Sequence, residues 1–163
     1  MHERIASPHR LATAVALLWL AAACSRPPTL EGRIQQVRVY EGGEPAPGDA
    51  PSSVVVVDFR VTNPSRYPFL VKNAILEIET AAAGVVTGSV AADRDAARYL
   101  ELNPAQGPKY NPSLVVRERI AAGQTIDRML AATFPLPAAE VRSRKAIRIR
   151  ILDADGPVAV ITP

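Results

Sequence analysis

Four arginines stand out among the residues able to do chemistry: Arg117 with Arg119, and Arg148 with Arg150. The i, i+2 spacing puts both members of a pair on one face of a strand. Guanidinium forks match carboxylates and phosphates, so a sheet face carrying all four would bind an anion or an acidic partner. Glu118 points the other way on its strand and would not neutralise that face. The bland alternative is a solvated sheet face in a chain whose basic residues are nearly all arginine. The carboxylate pairs Asp93/Asp95 and Asp153/Asp155 come next. Asp153-Ala154-Asp155-Gly156 begins like a calcium loop, but the later oxygen ligands and the closing glutamate are missing, so a tight turn fits it better. Asp93 and Asp95 suit the cap and solvated face of a short helix.

Nucleophilic catalysis needs a base that titrates near neutrality. The only histidines, His2 and His9, fall within the first ten residues. Lys72, Lys109 and Lys145 stand in no Ser-x-x-Lys arrangement, and no glycine-rich phosphate loop of the GxGxxG or GxxxxGK kind occurs. The inventory points away from an enzyme and calls for no cofactor and no metal.

Cys24 is the only cysteine, which excludes an internal disulfide and any multi-cysteine zinc site. Its position is informative. Arg4 and Arg10 against Glu3 make a short basic start, and Leu11–Leu20 is an uninterrupted apolar run, too short to cross a bilayer but of signal-peptide length. Ala21-Ala22-Ala23 then leads directly into Cys24. This arrangement resembles a bacterial lipobox, although Leu20 stands four residues before the cysteine and Ala21 occupies the place where the family prefers leucine. The resemblance implies a signal peptide over 1–23, cleavage before Cys24, and acylation of its thiol and new amino terminus. Two chains would then give a stable membrane anchor. The alternative is ordinary secretory cleavage near Ala23. Ser25, in place of aspartate, implies by the same resemblance an outer-membrane location facing the periplasm.

Loss of the leader removes Arg4, Arg10 and Glu3, both histidines and Trp19, and takes the net charge from +3 to +2. Such a balance is too weak for a nucleic-acid binder. With 163 residues, 48% hydrophobic and 21% charged, the chain has the composition of one globular domain. Fifteen prolines suit a loop-rich β protein rather than a helical bundle.

The elements read as strands and turns. Residues 24–31, with Pro27-Pro28, form a lipidated tether, and 32–163 form the domain. Strands are expected at Gly32–Tyr40, Ser53–Thr62, Phe69–Thr80, Val85–Gly88, Ser113–Ile120, Thr125–Phe134, Lys145–Leu152 and Val158–Ile161. Val54–Val57 marks a central strand, and Asn63–Pro68 a turn. Thr125–Phe134 is expected to form a hairpin with Ser113–Ile120 across Ala121-Ala122-Gly123. Asp93–Leu102 is the one helical insertion, ended by Pro104, and Pro135–Arg142 a single bridging turn. Polar loops fill Glu41–Ser52 and Ala105–Pro112.

Val57–Pro68 (VDFRVTNPSRYP), Ala122-Gly123-Gln124-Thr125 and the closing strand Ala146–Leu152 are similar to segments of Ig-like domains in secreted bacterial lipoproteins. These are the telokin-like and FxLYD-type modules and, more distantly, the water-stress/hypersensitivity domain. The FxLYD tetrapeptide itself is absent. The resemblance implies an all-β, Ig-like antiparallel β-sandwich of about seven or eight strands that acts as a noncatalytic binding or scaffold module for another envelope component. A periplasmic carrier of lipid or a small ligand, using the arginine face or a cavity between sheets, is the alternative.

Overall fold

The computed structural model describes residues 29–43, 50–91 and 111–163. Cys24 and the leader, the helix expected over 93–102, and most of the two polar loops lie outside the described residues. Among the described residues there are eight strands and one short helix: β1 (Glu31–Glu41), β2 (Ser53–Thr62), β3 (Phe69–Thr80), β4 (Gly84–Val90), β5 (Arg119–Ile120), β6 (Thr125–Phe134), α1 (Ala138–Arg142), β7 (Ala146–Asp153) and β8 (Val158–Ile161). The all-β, antiparallel class is what the sequence pattern required.

β-branched residues build the centre. In β2, Val55, Val57, Phe59 and Val61 point inward and are fully buried, while Val54, Val56, Asp58 and Arg60 face the other side. β2 pairs along its whole length with β1 on one flank and β6 on the other, as a central strand should. The strands run β1-β2-β6-β4-β3-β7-β8, with β5 added to β3, and every strand pairing is antiparallel. β4 changes partner along its length. Residues 84–88 pair with β3, and Ser89 and Val90 pair with β6. That switch lets one sheet curl around its own core.

The two edges of the curled sheet meet at one point, where the Ile34 amide donates to the Thr162 carbonyl at 2.9 Å. Inside lies one aliphatic core that joins Ile34, Val57, Phe59, Leu76, Ile78, Leu130, Phe134, Ile149, Ile151 and Ile161. Each such side chain contributes roughly 1.5–3 kcal/mol when fully buried. α1 closes one end by burying Ala138 and Val141. It is tied down by Thr80 Oγ1 donating to Glu140 Oε1 at 2.8 Å and by Arg142 bridging to Glu41 at 3.0 Å. Gly88 lies flat against the core: a Cβ there would come within 2.6 Å of the Phe134 ring.

Two expectations need correction. The stretch 113–120 is not one strand, since only Arg119 and Ile120 are paired, and with β3. Arg117 has φ of 70°, left-handed backbone that ends an extended run. The Ser113–Ile120/Thr125–Phe134 hairpin is therefore absent. β6 instead fits between β2 and β4, and it meets the earlier stretch through a parallel bridge from Ser113 to Met129 and an ion pair from Arg128 to Glu118.

Candidate functional site

The four arginines fall into two groups at opposite ends of β3 rather than forming one cluster. Arg148 lies opposite Glu77 in the β3–β7 register, and Arg150 lies opposite Ile75. Arg148 Nε donates to Glu77 Oε2 at 2.7 Å, and Arg150 donates to Glu77 Oε1 at 3.1 Å. The carboxylate is largely buried, and the hydrogen bond from Arg148 holds it below its usual range against the opposing cost of burial; Arg150 lowers it further. This trio is a cross-strand clamp whose acceptor is set by the β3–β7 register, which brings Glu77 opposite Arg148.

Arg117 and Arg119 sit at the other end of β3. Arg119 lies opposite Leu70, and the Arg117 amide donates to the Val71 carbonyl at 2.7 Å. Leu70 and Ile75 are five positions apart, about 17 Å along the strand. Both arginine side chains are exposed. Glu118 between them turns inward and binds Arg128, so it leaves them unneutralised as expected.

Asp153 is buried and acts structurally. Its Oδ1 accepts from the Leu70 and Asp155 amides at 3.2 and 3.4 Å. That is turn chemistry rather than cation ligation, and no cluster of three metal-ligating side chains occurs among the described residues. Asn63 is the linchpin of the same end. Its Nδ2 donates to the Tyr67 and Ile120 carbonyls at 2.8 and 3.0 Å, and its Oδ1 accepts from Ser65 at 3.1 Å. A buried carboxylate, Asp58, faces the opposite side of β2, where it takes Asn111 Nδ2 at 3.0 Å and stands 3.6 Å from Arg38.

The sheet is not continuous between β3 and β6. β4 spans that gap at one end and the 113–120 stretch spans it at the other, leaving an apolar groove of about 380 Å³ that opens to solvent. Val71, Ala74, Val90, Ala91, Leu114, Val115, Val116 and Leu130 line it, with Asn73 the one strongly polar side chain. Val116 is 63% exposed and Val115 40%, an unusual surface for consecutive valines. Its size falls in the range of ligand sites, but its walls lack the converging polar groups that fix a small molecule. The sequence pattern places Val115-Val116 in a strand interior, and no residue type announces the left-handed backbone at Arg117 that follows them.

Comparison with protein-family models, with curated proteins and with solved structures finds no match. Among the described residues the fold is all-β, and this groove opens on its surface.

Proposed function

We propose that this chain is a lipid-anchored envelope protein, acylated at Cys24, whose β domain is a noncatalytic binding module for another envelope component. The groove between β3 and β6 carries the reading. The interior around Phe59, Leu76 and Ile149 is packed, and the Glu77 clamp engages Arg148 and Arg150. The exposed valines at the groove therefore form the surface with the most to gain from a partner, because burying them removes apolar area from water. A shallow apolar slot suits one or two aliphatic side chains of a protein. An Ig-like sandwich remains the family reading for this arrangement, with outer-membrane attachment facing the periplasm.

The carrier reading has one observation in its favour, the groove's volume. It predicts extractable lipid or small ligand in the purified protein, whereas the binding-module reading predicts a stoichiometric protein partner. Crosslinking in intact envelopes, comparing wild type with Cys24→Ser, separates them. A discrete protein partner captured only by the anchored form supports the module. Labelled palmitate still entering the Cys24→Ser variant would remove the anchor from the account.

A further inference from the structure

We infer that the end of the domain carrying Leu30 rests on the anionic lipid surface, through Arg66, Tyr67, Leu70, Lys72, Arg117 and Arg119. The inference rests on acylation of Cys24. Leu30 is buried in the core at 3% exposure and β1 starts at Glu31. Six residue steps, with five residues between, therefore separate the anchored cysteine from a fixed point of the fold. Even fully extended they reach only about 20 Å, so this end of the domain cannot stand far from the membrane.

The topology gathers the basic and apolar groups at that end. β1 begins opposite the end of β2, where Glu31 pairs with Thr62. The turn after β2 holds Arg66 and Tyr67 and is tied by Asn63 to Ile120, while β5 lays Arg119 beside Leu70. The Ala154 amide donates to the Leu70 carbonyl at 2.9 Å, which brings the β7–β8 turn to the same end. Tyr67 is 60% exposed and Leu70 39%, and all four basic side chains are exposed. Arg66 sits 5.6 Å over the Tyr67 ring, an amphipathic pair suited to the headgroup layer. Exposed acids at this end are Glu31 and Asp155, so basic charge prevails. Basic side chains near anionic headgroups are attracted, and the attraction is screened by salt.

The test uses the lipidated protein reconstituted in phosphatidylethanolamine vesicles containing phosphatidylglycerol. An acylated Cys24 leaves no free thiol, so an introduced cysteine is the sole site for a fluorophore. Ala121→Cys labels the turn beside β5, and Ala82→Cys labels the β3–β4 turn. The two lie at opposite ends of a 12-residue strand, about 35 Å apart. A lipid with a nitroxide on its headgroup is the quencher. The expected result is strong quenching at Ala121, background quenching at Ala82, and loss of the Ala121 signal in Arg117→Glu/Arg119→Glu or at high salt. Equal quenching at the two positions with Cys24 acylated by intact mass overturns the lipid contact and leaves the anchor standing. A signal at Ala121 that survives the double reversal overturns the role of the arginines. An intact mass without acyl chains removes the anchor and this inference together.

Discussion

Ile34 and Thr162 join the two edges of the sheet, through a single 2.9 Å hydrogen bond from the Ile34 amide to the Thr162 carbonyl. Ile34 is buried, so its amide has little recourse to water if that acceptor is lost. A chain ending at Ile161 is expected to lose about 1–2 kcal/mol, the cost of leaving a buried donor unsatisfied. Chemical denaturation of the two forms measures it; unchanged stability would mean the edges are held apart from this bond.

Glu77 accepts from Arg148 and Arg150 together, and its carboxyl is held below the ordinary value of 4.5. A carboxyl depressed in the folded state stabilises the fold above its unfolded pKa and loses that contribution as pH falls through the folded one. Wild-type stability should therefore decline below about pH 4.5, and Glu77→Gln should flatten that limb while costing about 1 kcal/mol at neutral pH. Urea titrations from pH 3 to 7 give both numbers.

Asn63 shows why residue type matters in the turn. Its amide group donates to two carbonyls and accepts from Ser65. Asn63→Asp places a buried carboxylate against the Tyr67 and Ile120 carbonyl oxygens, which raises the folded pKa of the new acid above its unfolded value. The variant should be destabilised by about 2–3 kcal/mol or more at pH 7, and the loss should shrink as pH falls and the acid protonates. Thermal melts at pH 7 and pH 4 check the sign.

Gly88 reverses the usual expectation for a glycine inside a strand. Replacing strand glycine by alanine normally helps, but here the added Cβ meets the Phe134 ring at 2.6 Å and Ala132 Cβ at 2.9 Å. Gly88→Ala should cost about 1–3 kcal/mol by overpacking, and Phe134→Leu in the same chain should restore part of it. A double-mutant cycle reads the coupling directly.

Much of this fold was legible in residue order. Ser53–Thr62, Phe69–Thr80, Thr125–Phe134 and Val158–Ile161 were expected with the boundaries they have, because β-branched alternation and Asn-Pro or Asp-Gly turns are local signals. Pairing was not legible. Whether Thr125–Phe134 lies beside 113–120 or beside Ser53–Thr62 depends on packing across long sequence separations, and the left-handed Arg117 that breaks the nearer choice carries no mark in its side chain. The site divided the same way. Arg148 and Arg150 were found by spacing, but Glu77 became their partner only through the β3–β7 register. The groove at Val90, Val115 and Val116 arises where two strands fail to meet, and no single segment encodes that gap.

The central claim is that the groove between β3 and β6 receives an envelope partner. A photoreactive amino acid at Val116, and separately at Val160, tests it in living cells, since both valines are more than half exposed and only Val116 lines the groove. The account predicts a discrete protein adduct from position 116 and none from position 160. The same adducts from both positions, or none from either, would contradict it.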